Sequence, residues 1–252
     1  MTTVRTHPSP LGIQLANRHT PGTGPAVVFL PGYMSDMEGG KATAVFDWCA
    51  TQGRECLLLD YSGCGQSEGD FANGSLSIWR DDVLALIDAQ IASEQVIVIG
   101  SSMGGWLMLL VGMALGERLA GLIGIAAAPD FTDWGFDEAQ KAKLRAGETI
   151  YEASDYGYGP MPTHAKFWND GEERKLLGGP IALTCPARLL HGEDDHDVPP
   201  NISLQLAAAL VSEDVQVTLV KGGDHRLSRD TDIALLLNTV SAISKPVSNE
   251  TK

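Results

Sequence analysis

Short apolar runs alternate along this chain with longer segments of helical spacing. AVVFLPG, from Ala26, is an apolar run stopped by Pro-Gly, so it reads as a strand feeding a loop. KATAVFDWCATQG follows, with Ala42, Val45, Phe46 and Cys49 on one helical face and Gly53 as the stop. ECLLLDYSG is the next strand, and SLSIWRDDVLALIDAQI the next helix, with Ile78, Val83, Leu86, Ile87 and Ile91 near one face. VIVIG is apolar at every position, as a strand covered on both faces should be. MGGWLMLLVGMAL continues as a helix and LAGLIGIAAAP as a strand, while LGIQLANRH, from Leu11, alternates loosely like an early strand. This β–α rhythm predicts a mostly parallel sheet with helices on both faces and right-handed crossovers.

The rhythm breaks after Asp130. Residues 131–179 are rich in charge and in aromatics, including Phe131, Trp134, Phe136, Tyr151, Tyr156, Tyr158, Phe167 and Trp168. DEAQKAKLRAGETI has helical character there, and YGYGPM looks like a turn. Strands resume at ARLLHG and VQVTLV, and a last helix runs from Asp232 through Ile243. The pattern predicts a single α/β domain over 1–252 with a small helical cap inserted at 131–179.

Composition narrows the function. The formal net charge is −14 and no basic stripe is visible, which argues against a nucleic-acid partner. The four cysteines, Cys49, Cys56, Cys64 and Cys185, lack metal or redox spacing and read as free thiols in a reducing compartment. The N-terminus has no apolar stretch like a signal peptide, and longer apolar runs are broken by Gly or charge, so neither export nor stable membrane insertion is expected.

GSSMGG supplies the candidate chemistry. A nucleophile at a strand-to-helix junction projects through a sharp turn that needs small residues two before and two after it. Ser102 meets that demand with Gly100 and Gly104, whereas the equivalent neighbours of Ser101 are Ile99 and Met103. The N–H groups that open the following helix, Met103 first, can face a developing oxyanion. A serine hydroxyl also needs a base and an orienting acid. Among six histidines, His225 in VKGGDHRLS follows a strand in a Gly-containing loop and is the candidate base. His191 closes an apolar strand and reads as a packed or hydrogen-bonded structural residue. HGEDDHDVPP offers the acid, and spacing alone does not choose among Glu193, Asp194, Asp195 and Asp197. No second cluster accompanies this one, so no metal is expected. Serine, acid and histidine fall in the chain order of hydrolase triads.

These segments resemble the serine α/β-hydrolases over most of the chain. FLPGYMSDMEGGKA resembles the family's oxyanion loop, DYSGCGQSEG its D-x-x-G-x-G-x-S segment, and HGEDDHDVP its H-G-x-x-D-x-x-V-P pattern. The last register implies Asp195 as the acid, with Asp194 next in line. LPGYMSDMEGGKA, LDYSGCGQSEG, WRDDVLALID, GSSMGGWLML, RLLHGEDDHDVP and DHR further resemble a mitochondrial group described as palmitoyl-protein thioesterases and acyl-glucuronide esterases. The resemblance is weakest in the insertion. A bacterial cytoplasmic relative is expected, from the short N-terminus and the acidic charge.

The family likeness implies an α/β-hydrolase fold and a serine hydrolase that cleaves esters or thioesters of hydrophobic acids. Ser102 would attack, His225 would move the proton, Asp195 would orient the imidazole, and the backbone N–H groups of Met103 and Tyr33 would receive the oxyanion. Water completes the cycle, so no cofactor is expected. Trp134, Phe136, Tyr158 and Trp168 are candidate acyl-pocket residues. The substrate would be a small acyl ester or thioester, an S-acylated protein or an acyl glucuronide. A serine peptidase, a carbon–carbon-bond hydrolase and a non-catalytic binding protein on the same fold stay open as alternatives.

Overall fold

In the computed structural model, which describes residues 3–153 and 159–244, the chain runs through ten strands and eight α-helices. They are β1 (Arg5–Pro8), β2 (Gln14–Thr20), β3 (Thr23–Leu30), α1 (Gly40–Thr51), β4 (Arg54–Leu59), α2 (Leu76–Gln90), β5 (Val96–Ser101), α3 (Met103–Leu115) and β6 (Leu119–Ile125). Then follow α4 (Phe131–Trp134), α5 (Glu138–Arg145), β7 (Ile150–Glu152), β8 (Met161–Thr163), α6 (Ala165–Glu173), β9 (Ala187–Gly192), α7 (Asn201–Ala209), β10 (Val215–Val220) and α8 (Asp230–Ile243).

Eight strands form one sheet in the order β1-β2-β4-β3-β5-β6-β9-β10. From β4 to β10 every neighbouring pair is parallel, and β1 and β2 add an antiparallel edge. Both faces are covered, which is why residues 26–30 of β3 and 96–99 of β5 are apolar at every position. Val28, Leu57 and Val98 turn toward α2 and α3, packing with Trp79, Leu86 and Leu107. Their neighbours Val27, Phe29, Cys56, Ile97 and Ile99 turn the other way, onto Val45 of α1 and Leu236 and Val240 of α8. Each such aliphatic side chain contributes about 1.5–3 kcal/mol on full burial. The parallel strands all end on one rim, so the segments following β3, β5, β9 and β10 converge there.

The insertion occupies the connection from β6 to β9. The sequence predicts a helical cap here, but the insertion also carries an antiparallel ribbon, β7 with β8, in which Tyr151 faces Pro162. Tyr156–Tyr158 of the predicted turn lie outside the described residues. Phe136, Leu144, Ile150 and Trp168 make a small core of the insertion's own. Polar ties fasten it to the body. Asp170 of α6 accepts from the Ser77 N–H (2.7 Å) and hydroxyl (2.6 Å) at the start of α2. Asp130 accepts from the N–H groups of Leu176 and Leu177, closing the two ends of the excursion on each other. The Trp106 indole of α3 donates to the Arg174 carbonyl.

Candidate active site

Ser102 sits between β5 and α3 with φ 54° and ψ −122°, a backbone conformation that L-residues adopt only when the surroundings enforce it. The enforcement is visible. A Cβ at Gly100 would lie 2.2 Å from the Gly104 carbonyl oxygen, and one at Gly104 would lie 2.3 Å from that of Leu30. Both backbones approach too closely for any side chain. The Ser102 N–H donates to Ile125, and its carbonyl accepts from Gly105 and Ala128, which fixes the turn between β5 and β6. Ser101 remains in β5.

His225 and Asp195 arrive from the ends of β10 and β9. A Cβ on Gly192 would stand 2.2 Å from the Gly223 carbonyl oxygen, so the two loops close on each other only because that position is bare. His225 Nε2 lies 3.1 Å from Ser102 Oγ and Nδ1 lies 2.9 Å from Asp195 Oδ2. Asp195 Oδ1 accepts from the N–H groups of Asp197 (2.9 Å) and Val198 (2.8 Å). His191 Nε2 stands 3.2 Å from Oδ2. Burial opposes the charge on Asp195, but hydrogen bonds from His191, His225 and Val198 and the nearby His225 ring outweigh it, and the carboxyl is held well below the usual carboxylate range. An ionised Asp195 accepts from Nδ1–H, which leaves the lone pair of a neutral His225 on Nε2, facing the Ser102 hydroxyl. The other acids of the loop, Glu193, Asp194 and Asp197, are exposed.

The loop after β3 lies directly against the serine: a Cβ on Gly32 would meet Ser102 Cβ at 3.3 Å. Its shape is braced from DYSGCGQSEG. Asp60 accepts from Met37 N–H and Gln66 N–H, both at 2.8 Å, and the Tyr61 hydroxyl donates to the Pro31 carbonyl at 2.9 Å. Met34 has φ 54° in this loop. Met103 is buried at the first turn of α3. Tyr33 ties this loop to the insertion. Its hydroxyl donates to Pro162 of the ribbon (2.9 Å), and its ring centroid lies 4.9 Å from Phe167, 5.1 Å from Phe71 and 6.1 Å from Phe131. Burial pushes the phenol well above its ordinary pKa, so it stays a neutral donor.

The structure therefore brings Ser102, His225 and Asp195 into one hydrogen-bonded chain with the Gly32–Tyr33 loop beside it. The aromatic candidates fare differently. Phe136 and Trp168 are buried in the insertion's core, with the Trp168 indole donating to Thr132. Trp134 packs against Ala128, Val198 and Ile202 and donates to Pro129. Tyr158 lies outside the described residues. The rings gathered around Tyr33, on the loop that meets Ser102, are instead Phe71, Phe131 and Phe167, and Tyr33, Phe71 and Phe131 are half-buried. Phe131 touches Trp106, one helical turn beyond Ser102 (5.8 Å between centroids). Phe71 had no signal beyond its place after the glycine-rich segment. Asp195, Asp197 and His225 offer potential metal-ligand atoms within 4.8 Å of one another, but Asp195 and His225 are already spent on each other.

A serine on a strained strand–helix turn, a histidine joined to a buried carboxylate and a parallel sheet that gathers them on one rim define a serine hydrolase. The chain belongs to the α/β-hydrolase superfamily. The family model described as serine aminopeptidase, S33, matches residues 23–155. Palmitoyl-protein thioesterase ABHD10, mitochondrial, of Rattus norvegicus is 40% identical over 243 residues, covering 94% of this chain and 81% of the relative. Mouse alpha/beta hydrolase domain-containing protein 10 superposes with a TM-score of 0.88 at 37% identity, covering 96% of this chain and 98% of that structure. A hydrolase structure from Agrobacterium vitis S4 superposes with a TM-score of 0.89 at 34% identity, covering 97% and 99%. The chain is thus a serine hydrolase of the ester and thioester class, related to the ABHD10 group.

One expectation is overturned by these relatives. A cytoplasmic location was expected from the short N-terminus and the acidic charge, whereas the five mammalian relatives are mitochondrial by name. An acidic, well-solvated surface suits any aqueous compartment, so charge carried no address.

Proposed function

We propose that Ser102 is the nucleophile, His225 the general base and acid, and Asp195 the residue that orients and charges the imidazole. His225 Nε2 takes the hydroxyl proton as Ser102 Oγ attacks the acyl carbonyl. The oxyanion forms between the backbone N–H groups of Met103 and Tyr33. His225 then protonates the departing thiolate or alkoxide, and water repeats the sequence to free the acid. The observation that carries this reading is the continuous bonding Ser102 Oγ–His225–Asp195 at 3.1 and 2.9 Å on a turn held at positive φ.

The substrate in this reading is a thioester or ester of a hydrophobic acid, and specifically an S-acylated cysteine of a protein. Support comes from the relatives' name at about 40% identity and from the half-buried rings of Tyr33, Phe71 and Phe131, which cluster at the loop that meets Ser102. Residues 131–179 act as the cap of a single domain, contributing Phe131 and Phe167 to the acyl-side wall. Each methylene taken from water adds about 0.8 kcal/mol to binding. A kinetic panel that varies acyl length and leaving group independently tests the assignment, with Ser102→Ala and His225→Ala as controls. The expected result is kcat/KM rising with acyl length and holding for thioesters. A rate indifferent to acyl length, or preferential cleavage of peptides, would refute it.

A further inference from the structure

His191 is fully buried, at 0% exposure, one strand-end away from the acid, and the mechanism above does not use it. Its two nitrogens are both engaged. Nε2 faces the Val198 carbonyl oxygen at 2.9 Å and Asp195 Oδ2 at 3.2 Å, while Nδ1 faces the Ser203 hydroxyl at 2.7 Å. The partners of Nε2 are acceptors only, so Nε2 carries the proton; in the neutral ring Nδ1 then accepts from Ser203. The Val198 carbonyl and Asp195 thus set the tautomer of His191, and Ser203, itself 1% exposed on α7, donates to the other ring nitrogen.

The Asp195 oxygen that His191 approaches is the one that receives His225. We infer that His191 is a positioning residue for the Asp195–His225 pair, held as an Nε2–H donor by the Val198 carbonyl and Asp195 and steadied at Nδ1 by Ser203, so that one hydrogen-bonded chain extends from Ser203 through His191 and Asp195 to His225 and Ser102. The inference rests on the triad reading above and deepens it.

Two consequences separate this role from simple packing. With Oδ1 held by two backbone N–H groups and Oδ2 shared between two imidazoles, the carboxylate has a single orientation. Withdrawing one donor from Oδ2 also makes that oxygen more basic, so it holds the His225 proton more tightly. The titratable groups that face this hydrogen-bonded chain are Asp195 itself, His225 from the loop after β10 and Asp197 from the loop after β9. From α7 the contact is the uncharged Ser203.

The test follows kcat and KM for a chromogenic acyl ester against pH in wild type, His191→Leu, His191→Gln and Ser203→Ala. Active sites are counted by fluorophosphonate titration, so that misfolded protein drops out of the rate. His191→Leu should lower kcat about tenfold or more, the scale on which outer partners orient a site residue. KM should hold, and the acid limb of the profile should move to higher pH. His191→Gln, whose amide reaches the Nε2 position, should recover most of the rate, and Ser203→Ala should move the limb in the same sense as His191→Leu. If His191→Leu does not fold, His191→Gln and Ser203→Ala decide the question. Wild-type kcat and acid limb in folded His191→Leu or in Ser203→Ala would overturn the proposal, as would a His191→Gln enzyme with no recovery. Failure of the wild type to label at Ser102 would refute the triad reading instead, which keeps the two outcomes distinct.

Discussion

Replacing Asp195 by Asn removes one charge and nothing of the shape, so it isolates what the carboxylate does. In the structure Asp195 accepts on both oxygens: from Asp197 N–H and Val198 N–H on Oδ1, and from His225 and His191 on Oδ2. An amide has one acceptor oxygen. With that oxygen kept on the two backbone N–H groups, the NH₂ faces His225 Nδ1 and His191 Nε2. His225 must then accept at Nδ1 and carry its proton on Nε2, pointing a donor at Ser102 where a base is needed. A wrong tautomer of this kind costs up to about 10⁴ in kcat, or roughly 5 kcal/mol of barrier. The His191 N–H keeps the Val198 carbonyl, but the amide hydrogen turned toward it has no acceptor, at about 1–3 kcal/mol of stability, or roughly 2–12 °C in Tm for a chain of this size. Steady-state hydrolysis of an activated acyl ester near neutral pH, with melting curves, reads both effects. Asp194→Asn is the control and should keep its rate. Asp195→Asn retaining more than about a tenth of wild-type kcat, or Asp194→Asn losing as much as Asp195→Asn, would refute the reasoning, because either result places the orienting charge elsewhere.

Two more changes probe the scaffold. Asp170→Ala cuts both hydrogen bonds from the insertion to Ser77, and each such bond to a charged group is worth about 1.5–3 kcal/mol where well shielded. Limited proteolysis should then nick the insertion faster, and KM for long acyl chains should rise while short-chain kcat holds; an unchanged digestion pattern would show that the tie is idle. Asp82 has its carboxyl raised by burial, only partly offset by hydrogen bonds from Ser62, so its charged form is the costly one in the fold. The stability it contributes is full at low pH and is lost as pH rises through its elevated value. Asp82→Asn, which still accepts from the Ser62 N–H, should therefore gain in Tm over wild type on going from about pH 4, near the unfolded carboxyl, to neutral. A constant difference across that range would contradict the shift.

What could be read from sequence follows from where the constraint is local. Residues 26–30 of β3, together with β5 and β6, are buried on both faces and show as apolar runs, and Gly100 and Gly104 mark Ser102 because only bare backbone fits around its turn. β1, RTHP, pairs at the sheet edge with mostly exposed side chains, so nothing apolar announced it. α6 and α7 are nine residues each, too short to impose a clear period. The choice of acid needed the H-G-x-x-D-x-x-V-P resemblance, since four carboxylates share the loop and only the fold decides which one meets His225. Aromatic content in the insertion was visible, but not its direction: Phe136 and Trp168 stabilise the insertion itself. The loop motif points to the backbone of Tyr33, whereas its ring and hydroxyl link that loop to the insertion. Such long-range pairings, like Tyr33 with Pro162, leave no trace in local spacing.

The central claim is that Ser102, activated by His225, carries the acyl group during turnover. Its most direct test is intact-mass and peptide mapping after fluorophosphonate treatment of the wild type and of Ser102→Ala. The account predicts a single adduct on Ser102 in the wild type and none in the folded variant, with acyl-ester hydrolysis lost in step. An adduct that persists in Ser102→Ala, or that maps to Ser101, would contradict it.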